Sequence, residues 1–142
     1  MKKYKVGYTQ GVYDMFHVGH LNLLQNAKEY CDYLIVGVNT DSLVQDYKKK
    51  SPVVAEKDRL AIVSNIRCVD KAILATTLDK LIIQKEIGFD VIFIGDDWKG
   101  NPRWETTKKE LEKIGVDLVF LPYTQGVSST LMRRQEKDAV YE

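Results

Sequence analysis

The feature that most limits how this 142-residue chain can fold is a repeated alternation of two patterns. Short apolar runs are separated by amphipathic stretches long enough for helices. The clearest run is Tyr33 to Val38, Tyr-Leu-Ile-Val-Gly-Val, which is nearly continuous in apolar residues. A strand with no polar face is covered on both sides, as strands of a parallel sheet are. Shorter runs of the same kind lie at Tyr4 to Tyr8, Lys71 to Leu74, Val91 to Ile94 and Leu118 to Leu121, the last stopped by Pro122. Between them, Val18 to Tyr30, Glu56 to Ile66, Leu78 to Ile87 and Trp104 to Ile114 place apolar residues at helical spacing. Gly88 and Gly115 stand where helix C-caps are expected. Lys48-Lys49-Lys50-Ser51-Pro52 reads as a loop, and Ser128 as the start of a last helix. Strands separated by helices imply right-handed βαβ units. The expected fold is therefore α/β, one domain over residues 1–142, with a central parallel sheet and helices on both faces.

Hydrophobic residues make up 44%, enough for one core, and the formal net charge is only +1. That balance argues against a chain built to coat nucleic acid or an anionic membrane. The basic first residues are not followed by an apolar stretch of the signal-peptide kind, and no apolar run reaches membrane-spanning length. Cys31 and Cys68 have no partners at metal-ligand spacing and read as buried thiols in a reducing compartment. The expected location is cytoplasmic.

Ligands of open parallel sheets bind beyond the carboxyl ends of the strands. The residues with chemistry fall there. The only two histidines form His17-Val18-Gly19-His20 at the turn into the first helix. Gly19 permits close backbone approach, and a helix N-terminus offers N–H groups to an anion. Two imidazoles at that point can donate to phosphate oxygens. A helix cap beside a packing histidine, or half of a metal site, would use the same spacing. A metal reading lacks a third His or Cys nearby.

The familiar phosphate loops G-x-x-x-x-G-K-[ST] and G-x-G-x-x-G are absent, as is the G-x-S-x-G elbow. These absences disfavour a P-loop kinase, a dinucleotide dehydrogenase and a serine hydrolase. Lys48 to Lys50 could clamp a triphosphate or form a solvated surface run. Arg59 and Arg67 fall on one predicted helix and roughly one face. Either could be a surface arginine, and Arg67 could meet phosphate. Gly95-Asp96-Asp97-Trp98 could take a ribose hydroxyl and flank a base, or be a turn with a cap. The hydroxyls of Ser128, Ser129 and Thr130 are N-cap residue types that could equally hold terminal phosphates.

Taken in order, these pieces resemble the cytidylyltransferase family of the HxGH nucleotidyltransferase superfamily. The resemblance runs from Lys5 to Arg134. It is carried by the stretch from Gly11 to His20, Asn39-Thr40-Asp41, Arg67-Cys68-Val69-Asp70, Gly95-Asp96-Asp97-Trp98 and the stretch from Thr124 to Thr130. It implies a Rossmann-like domain, a homodimer, CTP and Mg2+. The implied reaction is cytidylyl transfer to a polyol phosphate, glycerol 3-phosphate first, giving CDP-glycerol for a cell-surface polymer and pyrophosphate. By the same resemblance His17, His20, Lys49 and Lys50 act on the phosphates. Gly11, Val12, Tyr13, Gly19, Asp97, Trp98, Thr124, Ser128, Ser129 and Thr130 bind the nucleotide. Asp14, Asp41 and Arg67 serve the acceptor, and no resident protein-held metal is expected. The family's Arg-Thr-Glu-Gly-Ile-Ser-Thr signature is altered here, with Tyr123 and Gln125 in place of the Arg and Glu. Val127 to Arg133 also resembles the corresponding stretch of members that use ATP. Another alcohol phosphate and an adenylyltransferase thus stay as alternatives, beside a nucleotide-binding regulatory module.

Overall fold

A computed structural model describes residues 3–122. Its elements are β1 (Tyr4–Gly11), α1 (Val18–Tyr30), β2 (Cys31–Asn39), α2 (Asp41–Lys48), α3 (Glu56–Ser64), β3 (Lys71–Ala75), α4 (Lys80–Ile87), β4 (Val91–Gly95), a 3-10 turn (Asp96–Trp98), α5 (Pro102–Glu112) and β5 (Asp117–Leu121). The strands pair in the order β3-β2-β1-β4-β5, every pair parallel. Thr124, Ser128, Ser129, Thr130 and the helix expected from Ser128 lie outside the described residues.

The apolar runs bury on two sides. Leu24, Ala27, Leu34, Val36, Val38, Val63 and Phe93 pack in one cluster, which joins α1 and α3 to the sheet. Tyr8, Ile35, Ile83, Phe89, Ile92, Leu111 and Leu118 pack in the other, beneath α4 and α5. Ile35 and its neighbours Leu34 and Val36 thus fall in opposite clusters, the alternation a doubly covered strand requires.

Each helix starts where a side chain meets its unpaired N–H groups. Thr40 accepts from Leu43 N in α2, Asp79 accepts from Leu81 N and Ile82 N in α4, and Asn101 accepts from Arg103 N ahead of Pro102 in α5. Gly88 and Gly115, both at φ +79°, close α4 and the turn after α5 in the left-handed region open to glycine. The sequence places both.

Several boundaries differ from expectation. β1 continues three residues past Tyr8 to Gly11, which carries the strand to the edge of the site. The helix α2 was unforeseen. α3 stops at Ser64, so Arg67 sits in the turn beyond it and shares no helix with Arg59. Cys31 is buried, and Cys68 is only partly so.

The chain leaves β1 for β2 on one side and returns to pair β4 on the other. This reversal opens a crevice at the carboxyl ends of β1 and β4. The buried hydroxyl of Thr9 donates to Phe93 O at 3.0 Å and pins the two strands together beside it. Gly37 in β2 has a different duty. A Cβ there would land on the Tyr8 hydroxyl, and Tyr8 is fully buried with its ring stacked on Phe89 at 5.1 Å. Gly37→Ala should cost about 1–3 kcal/mol, the usual penalty of overpacking. A urea unfolding curve reads that loss.

Candidate active site

The crevice is a cavity of about 520 Å³. Gly11, Val12, His17, Gly19 and His20 line it from β1 and the start of α1. Asp97 and Trp98 line it from the turn after β4, and Asn39, Tyr47 and Lys48 from the end of β2 and from α2. Lys80, Arg103 and Trp104 complete the wall from α4 and α5.

The histidines cap the helix they begin. His17 is the N-cap of α1, and its Nδ1 accepts from Gly19 N at 3.1 Å. Nδ1 of His20 accepts from His17 N at 3.2 Å. This is a capping box built from imidazoles. A ring nitrogen that accepts a hydrogen bond carries no proton, so in each neutral ring the proton sits on Nε2. The rings stack with centroids 3.9 Å apart, and Tyr13 meets His20 edge-on at 5.4 Å. Burial lowers the pKa of His17. Burial, with His17 adding and Asp14 opposing, pushes His20 down to about 4. At neutral pH the pair therefore offers two Nε2–H donors without charge.

The loop that delivers them is strained. Tyr13 and Met15 take φ of +56° and +49°, a region costly for side chains larger than glycine. Asp14 between them is buried and holds the loop down by accepting from Val53 N at 2.8 Å and Val54 N at 2.9 Å. Tyr13 sits in the core.

A buried guanidinium secures the same region. Arg59, fully inaccessible, donates to Val54 O, Val12 O, Asn39 O and Asp41 Oδ1 at 2.6 to 2.8 Å. Asp41 also accepts from Glu56 N at 3.2 Å, and Glu56 accepts from Asp41 N at 2.9 Å. Each carboxylate thus caps the other's helix, which is how α3 manages with Ala55 as N-cap. Arg59, for which the sequence left a surface position open, is an internal brace.

The expected residues are only partly brought together. Gly11, Val12, Gly19, His17, His20, Asp97 and Trp98 share the cavity wall. Asp14 and Asp41 stand behind the wall, bonded to backbone and to Arg59. Arg67 is exposed in the turn after α3. Of the lysine run, Lys48 lines the cavity. Lys49 is the α2 C-cap at φ +60°, and Lys50 is exposed. Sequence reasoning missed Lys80, Arg103 and Trp104. Lys80 is buried, donates to Leu78 O at 2.8 Å and lies 5.4 Å from the Trp104 ring centre. Burial, and then Arg103, push its pKa down to about 8 against the pull of Asp79. In the sequence these three residues look like ordinary positions on amphipathic helices. Only the N-cap signals of Asp79 and Asn101 could have placed them near strand ends.

A phosphate-sized donor set on an α/β crevice has many owners, and comparison with known proteins narrows them. A family model described as Cytidylyltransferase-like matches residues 8–135. The chain belongs to the cytidylyltransferase-like family. The glycerol-3-phosphate cytidylyltransferase of Bacillus spizizenii is 38% identical over 128 residues, spanning 89% of this chain and 92% of that protein. The FAD synthase of Thermococcus kodakarensis is 38% identical over 117 residues, 80% of this chain and 76% of that protein. Among solved structures, the lipopolysaccharide core biosynthesis protein of Thermoplasma volcanium superposes with a TM-score of 0.71 at 29% identity, covering 85% of this chain and 97% of that one.

Two outcomes test the geometry of this cytidylyltransferase-like site. Arg59→Met leaves three carbonyls and Asp41 without their donor, and should cost about 1–3 kcal/mol, the usual penalty for a buried acceptor left unpaired. Urea denaturation followed by circular dichroism measures it. The second concerns pH. His20 titrates near 6.5 when unfolded and near 4 when folded, so between those values the unfolded chain binds more protons. Stability is full above pH 6.5 and falls as pH drops toward 4. His20→Gln should flatten that part of the pH dependence in a series of urea midpoints.

Proposed function

We propose that this chain transfers a cytidylyl group from CTP to a polyol phosphate, glycerol 3-phosphate first, releasing CDP-glycerol and pyrophosphate. The observation that carries the reading is the pair of neutral Nε2–H donors fixed at the N-terminus of α1 and lining the cavity. The Bacillus relative supports the choice of nucleotide and acceptor.

The acceptor phosphate is its own nucleophile. Its second pKa is about 6, so an ionised oxygen is available at neutral pH without a general base. That oxygen bonds to the α-phosphorus of CTP as the bond to the pyrophosphate oxygen breaks, the electron pair leaving with pyrophosphate. Catalysis is then positioning and charge stabilisation. His17 and His20 donate from Nε2 to phosphate oxygens on which charge grows. Their low pKa values suit donors that hold their protons rather than pass them on. Lys48, Lys80 and Arg103 bring positive charge to the wall, and Lys49 and Lys50, which follow Lys48 in the chain, are read as further contacts to the phosphates. Trp98 flanks the base and Asp97 meets the nucleoside. Thr124, Ser128, Ser129 and Thr130, which lie outside the described residues, are assigned to the nucleotide by the family resemblance. Asp14 and Asp41 serve the acceptor side by fixing backbone, whereas Arg67, in the turn that leads into the amino end of β3, does not line this cavity and takes no part in the reading.

Mg2+ belongs to the reading as a companion of the nucleotide. Among the described residues no three His, Cys, Asp or Glu side chains group to hold a metal. Mg2+ is commonly held by one or two carboxylates together with substrate phosphates, and Asp97 is the carboxylate on the wall. When bound it supplies charge neutralisation to the phosphates. The reading includes a homodimer working in the cytoplasm to supply a cell-surface polymer. Among the described residues no helix is long and apolar enough to cross a membrane.

The FAD synthase relative favours an adenine nucleotide as the second reading. Pyrophosphate release with Mg2+, each nucleoside triphosphate and a panel of alcohol phosphates separates the two. CTP with glycerol 3-phosphate should give the highest turnover, and release with ATP alone would overturn the cytidylyl assignment. His17→Ala and His20→Ala should each lower kcat at least about a hundredfold, as loss of a positioned transition-state donor does.

A further inference from the structure

The floor of the cavity on the α2 side is a chain of uncharged side chains whose direction is fixed. The carbonyl of Thr77 can only accept, and it accepts from Gln10 Nε2 at 3.0 Å. The Gln10 amide is therefore turned with Oε1 toward Tyr8, whose buried hydroxyl donates to it at 2.7 Å. The other Nε2 hydrogen goes to Asn39 Oδ1 at 2.8 Å. That turns the Asn39 amide in its own place, so Nδ2 donates to the Tyr47 oxygen at 3.1 Å. A phenol oxygen that accepts still has its own hydrogen to give. Among the described residues nothing takes it. Gln10, Asn39 and Tyr47 all line the cavity.

The relay lies at the ends of β1, β2 and β3, whereas Trp98 follows β4 on the other side of β1. The imidazole pair stands after β1, between the two. With the base at Trp98, the half that holds Tyr47 faces the acceptor. We propose that Tyr47 is the residue that reads the acceptor alcohol, donating its hydrogen to a hydroxyl oxygen of a polyol phosphate. The inference rests on the alcohol-phosphate reading above and adds a specificity-determining residue to it. An outward O–H meets an oxygen lone pair. Burial raises the pKa of Tyr47 against the opposing influence of Asn39, Arg59 and Arg103, which keeps the donor protonated at neutral pH.

The test measures kcat/KM at saturating CTP for glycerol 3-phosphate, propane-1,2-diol 1-phosphate and propane-1,3-diol 1-phosphate. Each diol phosphate lacks one hydroxyl of glycerol 3-phosphate. The unaltered chain should lose about three- to tenfold on one of the two, the size of one neutral hydrogen bond. Tyr47→Phe should lose the same factor on glycerol 3-phosphate, lose nothing further on that diol phosphate, and keep the KM for CTP. Equal loss on all three acceptors would assign Tyr47 to the phosphate or to structure and overturn the inference, as would no loss on any. An unaltered chain that releases no pyrophosphate with any of the three would overturn the alcohol-phosphate reading itself, and this inference with it.

Discussion

The active edge of this protein is organised around one charge with no access to water. A guanidinium taken out of solvent is costly unless each of its nitrogens finds an acceptor. Arg59 finds them in segments far apart in sequence: Val12 after β1, Asn39 at the end of β2, Val54 before α3 and Asp41 at the start of α2. No subset satisfies it. The end of β1, the end of β2 and the segment leading into α3 must therefore assemble together. Asp14 grips the same segment from the opposite side through Val53 N and Val54 N. The strained turn at Tyr13 and Met15 persists because the contacts on both flanks hold it.

The electrostatic division of labour follows from this frame. The histidines are kept uncharged by burial and by the capping bonds at Nδ1, and Lys48, Lys80 and Arg103 carry the positive charge at other points of the wall. In the proposed reaction a polyanionic substrate would meet fixed neutral donors near the strand switch and cations around it. The same bonds that end the helix also set the tautomer, so local structure and chemical role cannot be separated at His17 or His20.

Much of this was legible in the sequence. The doubly apolar run at Tyr33 to Val38 and the spacing of the helices lead to the parallel sheet, because burial on both faces leaves a strong mark on composition. α1 was read to the residue, since its capping histidines, apolar stripe and following strand agree. α2 was missed because its eight residues are mostly polar and its Asn39-Thr40-Asp41 start was read as a site motif, although Thr40 is also an N-cap. The histidines with Gly19, and Asp97 with Trp98, were read as residues beyond strand ends, Gly11 and Val12 came from the family resemblance, and all of them line the cavity. Lys80, Arg103 and Trp104 were not, because they reach the cavity from helices packed behind it. Arg59 shows the reverse error: an arginine on an amphipathic helix looks solvated in sequence, and only the four acceptors assembled by the fold reveal otherwise.

The carbonyl of Thr77 has a consequence of another kind. It belongs to the main chain, and it orients Gln10, through Gln10 Asn39, and through Asn39 the phenol at the cavity wall. The polarity of that wall is thus written in the path of the backbone and not in the side chain at position 77. The Thr77 side chain contributes only by steadying that path, its hydroxyl accepting from Asp79 N at 3.1 Å. Moving the short connection between β3 and α4 by one residue would free the Gln10 amide to turn, and the cavity floor could change from donor to acceptor with every lining side chain intact.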